Sequence, residues 1–160
     1  MKIGVVSDTH SKGIPAQLLE ELKKVDFIIH AGDFCTRRDL DTFKHLKDVK
    51  AVWGNMDDKE VRSLLPRRQI IPCGKFSIGL FHGAGAPKNI LETVKNEFKD
   101  DKVDAVVFGH SHQALNQEID GVLYFNPGSP NDTVFAPYCS YGLLEISDTI
   151  KGKIIKIKQG

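Results

Sequence analysis

The feature that most constrains the fold is an alternation along the first two thirds of the chain. Short apolar runs are separated by segments whose apolar residues recur at helical spacing. The runs lie at residues 3–6, 27–31, 49–53, 68–71, 76–81 and 104–108, and the helical patterns lie at residues 15–25, 40–46, 61–65 and 87–98. Between the first two runs, Leu18, Leu19 and Leu22 share one helix face. Strands that alternate with helices predict an α/β fold with parallel strand pairs.

The last third of the chain has a different pattern. Strands are predicted at residues 114–119, 122–125, 141–146 and 153–157. The dipeptides Asp120-Gly121 and Lys151-Gly152 are turn signals, so hairpins are expected there. We therefore expect a parallel first sheet, a more antiparallel second sheet and helices outside, as in an α/β sandwich of two packed sheets.

Composition excludes several classes of protein. A chain of 160 residues fits a single domain, predicted over residues 1–160, that needs no disulfide or structural metal to form a core. A net charge of +1 gives no general reason to bind long nucleic acid or an anionic membrane surface. No apolar run approaches membrane-spanning length, and the first residues do not resemble a secretion signal. We expect a cytoplasmic protein.

The cysteines do not form a recognisable framework. Cys35, Cys73 and Cys139 are odd in number, far apart and without a C-x-x-C spacing. Free, mostly buried thiols are expected, and neither a disulfide nor a cysteine-built zinc site is indicated.

Polar side chains and glycines follow most of the predicted strands. The polar residues are Asp8 and His10, Asp33, Asn55 and Asp57, His82, His110 and His112, and Asn126 and Ser129, in strand order. Loops at the carboxyl ends of strands are where open α/β sheets place ligands. Repetition of this association over successive strands predicts one convergent site.

His110 and His112 illustrate why the wider pattern matters. Taken alone, two histidines near an apolar run are more often rim or core residues than ligands. If the segment is extended, however, side chains two residues apart point to the same side, and Ser111 turns away. Both imidazoles would then face the same centre as the other strand-end residues.

The donor set favours a particular class of ion. Carboxylates, imidazoles and an amide oxygen, with no thiolate, suit Mn²⁺, Fe²⁺, Ni²⁺ or Zn²⁺. The seven donors are Asp8, His10, Asp33, Asn55, His82, His110 and His112. Seven are too many for one such ion, whereas two ions sharing a bridging carboxylate, at the ~3.5–4 Å separation of two-metal hydrolases, would use them all.

The ordered motifs resemble those of the calcineurin-like metallophosphoesterases, most closely their small bacterial and archaeal phosphodiesterase branch. The family pattern D-x-H, G-D, G-N-x-D/E, H-G and G-H-x-H is matched here by SDTH, AGD, GNMD, FHG and GHSH, across nearly the whole chain. The resemblance implies a four-layer α/β/β/α sandwich of two mixed sheets flanked by helices. It also implies two divalent ions per chain, with manganese favoured over nickel, iron and zinc.

The same resemblance assigns roles to individual residues. It implies that one ion is held by Asp8, His10 and His112, that the other is held by Asn55, His82 and His110, and that Asp33 bridges them. Asp33, Asn55 and His82 would then act in catalysis through the ions and a bridging water that attacks phosphorus in line. Asp57 is expected to steady the Asn55 loop without being a ligand.

Met56 departs from the pattern of many larger phosphomonoesterases in the family, which have a histidine at this place. A thioether cannot donate a proton to a leaving group, so the general acid is left open. This favours hydrolysis of a small phosphate diester. The alternatives are a non-catalytic metal-binding scaffold, as in the phosphoesterase-fold subunit of the eukaryotic retromer coat, and a nuclease or phosphomonoesterase.

Other residues are weaker candidates. Asn126 and Ser129 either contact substrate or stabilise a turn. Arg37 is placed to recruit an anion, although arginines of this kind are more often ion-paired surface residues. A structural hydrogen bond is expected for His30, and a solvated position for His45. The physiological substrate, the native metal and the oligomeric state stay open, and a homo-oligomer is neither required nor excluded.

Overall fold

Ten strands and four helices make up the computed structural model, which describes residues 1–159. The strands are β1 (Lys2–Val6), β2 (Phe27–His30), β3 (Val49–Ala51), β4 (Arg68–Cys73), β5 (Phe76–Phe81), β6 (Ala105–Val107), β7 (Leu115–Ile119), β8 (Val122–Asn126), β9 (Ser140–Ile146) and β10 (Ile150–Lys156). The helices are α1 (Ala16–Leu22), α2 (Arg37–Lys44), α3 (Lys59–Leu64) and α4 (Ile90–Glu97), the last preceded by a 3-10 turn at Pro87–Asn89. None of the helices described is long and apolar enough to cross a membrane.

The strands form two sheets, ordered β10-β9-β1-β2-β3 and β4-β5-β6-β8-β7. In the first sheet β1, β2 and β3 are parallel, and β9 and β10 are antiparallel additions. In the second, β5, β6 and β8 are parallel, with β4 and β7 antiparallel at the edges. The expectation of a parallel sheet and a more antiparallel one was wrong, because each C-terminal hairpin extends a different sheet.

Four layers follow from the burial pattern. Alternate residues of β1 face opposite sides, so Ile3 and Val5 join the core between the sheets while Val6 packs under α1 and α2. On the other side of the molecule, Val94 of α4 packs on Val106 of the second sheet. The order is therefore helices, sheet, sheet, helix, which confirms the four-layer α/β/β/α sandwich of two mixed sheets.

One predicted turn was also wrong. Lys151-Gly152 lies inside β10, where Gly152 pairs with Leu144, and the chain reverses at residues 147–149 instead. A Cβ on Gly152 would come within 2.7 Å of the Phe125 ring of the second sheet. The glycine is needed because the sheets approach closely here, not because the chain turns.

Candidate metal centre

The residues predicted at the strand ends converge at one edge of the two sheets. Asp8 and His10 follow β1, Asp33 follows β2, Asn55 follows β3, His82 follows β5, and His110 and His112 follow β6. Two groups of side chains offer ligand atoms that all lie within 4.8 Å of one another: Asp8, His10 and His112 form the first, and Asp8, Asp33 and His82 form the second. The two groups overlap, so the side chains form a single centre with two halves.

The first half is centred on Asp8. Its Oδ1 lies 3.3 Å from His112 Nε2 and 3.8 Å from His10 Nε2, and the two imidazole nitrogens are 3.2 Å apart. Its Oδ2 is fixed by the Ser7 hydroxyl at 2.7 Å and by the His110 backbone N–H at 3.0 Å. One carboxylate oxygen therefore holds the loop while the other points into the centre.

The second half is reached through Asp33. Asp33 Oδ2 lies 3.4 Å from His82 Nε2 and 3.6 Å from His10 Nε2, which places it between the halves. Asn55 Oδ1 lies 3.0 Å from His82 Nε2 and 3.2 Å from His110 Nδ1. Asp8 Oδ1 is also 3.9 Å from His82 Nε2, so either carboxylate is placed to be shared by two cations.

Three of the four imidazoles of the centre are oriented by a hydrogen-bond acceptor. The acceptor contacts the outer ring nitrogen, the one that points away from the centre. The pairs are His82 Nδ1 with the Ala31 carbonyl at 2.7 Å, His110 Nε2 with the Gly85 carbonyl at 2.7 Å, and His112 Nδ1 with the Asp132 carboxylate at 2.6 Å. Carbonyl and carboxylate oxygens only accept, so each outer nitrogen donates. In the neutral tautomer the inner nitrogen then presents a lone pair, as a metal ligand requires.

These side chains fit a divalent cation. Asp8 Oδ1 is buried and has no hydrogen-bond donor among the described residues. The groups around it are the other carboxylate and the inner imidazole nitrogens, which present lone pairs when the imidazoles are neutral. A buried acceptor without a donor is costly, and a cation at this place would satisfy it. Oxygen and imidazole donors without thiolate match the ions of intermediate hardness.

The electrostatics of the centre favour positive charge. Burial opposes protonation of His82, but its hydrogen bond with Asp33 and the charge of Asp8 raise its pKa to about 9. His112 has a pKa of about 9 for the same kind of reason, because Asp8 and Asp132 outweigh its burial. Burial would raise the pKa of Asp8, yet the neighbouring imidazoles hold it well below its usual range. Protons and metal ions therefore compete for the same atoms.

His30, one strand end away, has the opposite character. It is fully buried, stacks on Phe34 and contacts the Thr9 hydroxyl and the Gly32 backbone N–H. Burial lowers its pKa to about 3, so this imidazole is neutral. The structural hydrogen bond expected for His30 is confirmed. His45 is exposed at the end of α2, as expected.

The backbone of the centre adopts an uncommon conformation. Left-handed φ values occur at Asp8 (57°), His10 (48°), Asp33 (62°), His110 (71°) and His112 (60°). The assumption of an extended 110–112 segment was therefore wrong. His110 faces Asn55 and His112 faces Asp8, while Ser111 turns away to contact Asn126. Such strain persists where surrounding contacts fix it and is typical of functional sites.

Two glycines let the loops approach the carboxylates. A Cβ on Gly109 would overlap Ser7 Oγ and come within 2.6 Å of Asp8 Oδ2. A Cβ on Gly54 would overlap Asp33 Oδ1 and lie 2.7 Å from the Asp33 backbone nitrogen. Only glycine fits at these two points of close approach.

Comparison with known proteins identifies the family. The family described as calcineurin-like phosphoesterase superfamily domain matches residues 1–149. The chain belongs to this superfamily. A protein of Methanocaldococcus jannaschii named probable metallophosphoesterase is 34% identical over 164 residues, covering 99% of this chain and 83% of that one. A phosphodiesterase of the same organism is 28% identical over 141 residues, covering 80% and 83%.

A solved structure extends the comparison. Wild-type Vps29 of Entamoeba histolytica, complexed with Zn²⁺, is similar with a TM-score of 0.75 and 26% identity, covering 98% of this chain and 99% of that chain. The phosphoesterase family is metal-dependent, and the relatives named above support a hydrolase of phosphate esters.

Asp57 steadies the phosphoesterase loops from behind. Its Oδ2 accepts the backbone N–H groups of Gly54 at 2.7 Å and Asp33 at 3.0 Å, and its Oδ1 accepts that of Cys35 at 2.7 Å. The carboxylate therefore links the loop after β2 to the loop after β3, which agrees with the supporting role expected for it.

The three remaining candidates from the sequence differ in how they are placed relative to the candidate metal centre. The Asn126 side chain donates to the Gly109 carbonyl at 3.1 Å and accepts the Gly128 N–H at 2.9 Å, which is a turn-stabilising role. The buried Ser129 hydroxyl donates to the Asp8 carbonyl at 2.8 Å. Arg37 is ion-paired on the surface with Glu60 at 3.1 Å and does not contact the centre.

Two residues of the site were missed by sequence reasoning. Asp132 orients His112, and Lys12 lines the cavity above His10 and His112. The signal for Asp132 was its position in the PND turn three residues after Ser129, where an aspartate side chain can accept nearby backbone N–H groups. Lys12 had no signal beyond its nearness to His10 in sequence.

Proposed function

We propose that the protein hydrolyses a small phosphate diester by in-line attack of water, with two divalent metal ions bound at the strand-end centre. One observation supports this most strongly. Asp8 Oδ1 is buried and has no donor among the described residues, and the imidazoles around it, when neutral, present their inner lone pairs to the same space. A pair of cations would satisfy these atoms. Manganese is our first choice among manganese, nickel, iron and zinc.

The two halves divide the predicted ligands. Asp8, His10 and His112 would hold one ion, and Asn55, His82 and His110 the other. Asp33 Oδ2, between His10 and His82, is the proposed bridge. When bound, such ions would supply Lewis acidity and lower the pKa of a coordinated water from far above neutrality to about 7. The task of Asp33, Asn55 and His82 is to fix the geometry in which a phosphate ester meets that water.

A diester is favoured over a monoester for a reason of proton chemistry. Met56 stands where many larger phosphomonoesterases have a histidine, and its thioether cannot protonate a leaving group. Its backbone N–H donates to Asp33 Oδ1 at 2.8 Å, so this residue contributes main-chain support to the site. The name of the Methanocaldococcus phosphodiesterase supports the same choice. A small diester as partner and a cytoplasmic location belong to this proposal.

The test compares two generic esters. Chelator-stripped protein is given each divalent ion in turn and assayed with bis-p-nitrophenyl phosphate beside p-nitrophenyl phosphate. We expect metal-dependent turnover that favours the diester, with manganese most effective. No turnover with any bound metal would favour the non-catalytic scaffold, and preference for the monoester would contradict the proposed diester specificity.

A further inference from the structure

Two apolar side chains are exposed at the mouth of the centre. In the loop between β8 and β9, Val134 is 75% exposed and Phe135 is 81% exposed. Phe135 has the largest exposed fraction among the large hydrophobic residues that the structure describes. Exposed apolar groups gathered beside a cavity commonly mark a binding surface.

The exposure is fixed by hydrogen bonds at the base of the loop. Asp132 Oδ1 accepts the backbone N–H groups of Val134 at 2.8 Å and Phe135 at 3.0 Å, and Oδ2 accepts that of Ala136 at 3.1 Å. The same Oδ2 accepts from His112 Nδ1 at 2.6 Å. One carboxylate therefore fixes the backbone that carries the Phe135 ring relative to a candidate metal ligand.

The ring lies between two cavities that both reach the centre. The first, of about 310 Å³, is lined by Asp8, His10 and His112 and by Val134, Phe135 and Lys12. The second, of about 400 Å³, is lined by His110, His112 and Phe135 among others. Volumes near the lower end of the ~300–1,000 Å³ range of ligand pockets suit a small organic phosphate.

We propose that Phe135 binds a planar aromatic group, of the nucleobase kind, on the organic part of the substrate ester. This inference rests on the proposed function, because the phosphate is taken to lie at the centre. An exposed ring carried by a hydrogen-bonded loop offers a free face for stacking on another aromatic ring. The ammonium group of Lys12 contributes positive charge beside an anionic phosphate. A patch of two residues is too small for a stable protein interface, which buries about 800 Å² per partner.

The first experiment compares two esters with the same leaving group. Thymidine 5′-(p-nitrophenyl phosphate) offers a nucleobase, and methyl p-nitrophenyl phosphate does not. In Phe135→Ala we expect the ratio of kcat/KM for the thymidine ester to that for the methyl ester to fall roughly tenfold, chiefly through KM. Leu64→Ala, which truncates an exposed apolar side chain on α3, should keep the wild-type ratio. An unchanged ratio in Phe135→Ala overturns the proposal.

A second experiment does not depend on turnover. Calorimetry measures binding of thymidine 5′-monophosphate and of inorganic phosphate to the manganese-loaded protein. We expect the wild type to bind the nucleotide roughly tenfold more tightly than phosphate, and Phe135→Ala to lose this preference. Such a preference without hydrolysis would refute the proposed function, yet it would still support the binding of an aromatic group by Phe135. Equal affinities in the wild type would overturn the inference even if the protein is a diesterase.

Discussion

The two ends of the β-sheets are built differently. At the end that carries the centre, non-glycine residues adopt left-handed backbone at Asp8, His10, Ser11, Asp33, Cys35, His110 and His112. At the opposite end the hairpin residue Asp120 is the one left-handed non-glycine position among the described residues. Gly74 and Gly121, in the turns of that end, have open space around them, whereas Gly54 and Gly109 are pressed against carboxylates.

The difference shows where the fold accepts strain. A non-glycine residue in a sparsely populated backbone region costs of order 1–3 kcal/mol, and it persists when its surroundings fix it. Here backbone bonds between loops do so: His10 N–H donates to the Asp33 carbonyl at 3.0 Å, and Ser11 N–H to the Phe34 carbonyl at 3.1 Å. At the opposite end, where the chain only reverses, the left-handed non-glycine residue among those described is Asp120, in a hairpin turn and of a type that tolerates this backbone.

The largest effect on activity is expected when the same change, aspartate to asparagine, is made at each end of the sheets. Asp33 and Asp120 have similar left-handed backbone, with φ of 62° and 51°. Asp33→Asn removes the negative charge between the halves, and loss of several kcal/mol of charge stabilisation lowers kcat/KM by roughly 1000-fold. Asp120→Asn keeps a residue type that tolerates this backbone, so its activity should match the wild type. Near-normal turnover of Asp33→Asn at matched metal content would refute the role of Asp33.

Glycine substitutions test the same contrast through packing. In Gly109→Ala the added methyl group displaces Ser7 or Asp8, which should lower stability by about 1–3 kcal/mol and weaken metal binding more than tenfold. Gly74→Ala meets no neighbour, but its φ of +61° costs about 1 kcal/mol. Thermal unfolding and metal titration check both. Equal loss of metal affinity in the two variants would contradict the argument.

Asp132→Asn tests the support behind His112. Loss of the carboxylate charge should weaken metal binding about 10–100-fold. It should also lower the pKa of His112 from about 9, which NMR titration of the metal-free protein measures. Asp104→Asn is the matched control, because Asp104 accepts the Ser77 N–H at 2.8 Å at the opposite end. If both variants bind metal equally well, the Asp132 contact has no role in the centre.

The stability of the metal-free protein and its affinity for metal should change with pH in opposite directions. Because the pKa values of His82 and His112 are raised from 6.5 to about 9, their protonation stabilises the folded metal-free protein below about pH 6.5. That contribution is lost as pH rises through 9. Metal ions compete with these protons, so metal affinity should rise by roughly tenfold or more per pH unit between pH 6.5 and 9. Affinity that does not change over this range would contradict the competition.

The smallest effect concerns strain at a single residue. Cys35 has a φ of 89°, whereas Cys73 lies in strand β4 at the opposite end. The variant Cys35→Gly should be more stable than Cys35→Ala by about 1 kcal/mol, which corresponds to about 2–4 °C in Tm. At Cys73 the order should reverse, because glycine weakens a strand. The same order at both positions would count against strain at the centre.

Sequence patterns predicted the fold class because the two periodicities are local. Apolar runs with polar ends mark β1, β2, β5 and β6, and the structure confirms these strands within one or two residues. Sheet membership was missed because nothing in a hairpin specifies which edge it extends. Gly152 was misread for a similar reason, since its function depends on Phe125, which is distant in sequence.

The sequence predicted the side chains at the centre better than it predicted the residues and backbone conformations that support them. The structure brings all seven expected donors together, and their role as metal ligands stays a prediction. Asp132 was missed because its partner, His112, is 20 residues away and belongs to a different loop. The left-handed backbone at His110 and His112 was missed because it depends on contacts between loops and not on residue type.

The most direct test of the account is a manganese titration of the chelator-stripped protein followed by electron paramagnetic resonance. Two Mn²⁺ ions at the ~3.5–4 Å separation of two-metal sites couple magnetically, so the account predicts two bound ions per chain with a coupled spectrum. The coupling should disappear in Asp33→Asn and persist in Asp120→Asn. A single uncoupled ion per chain, or a coupled pair that survives in Asp33→Asn, would contradict the account.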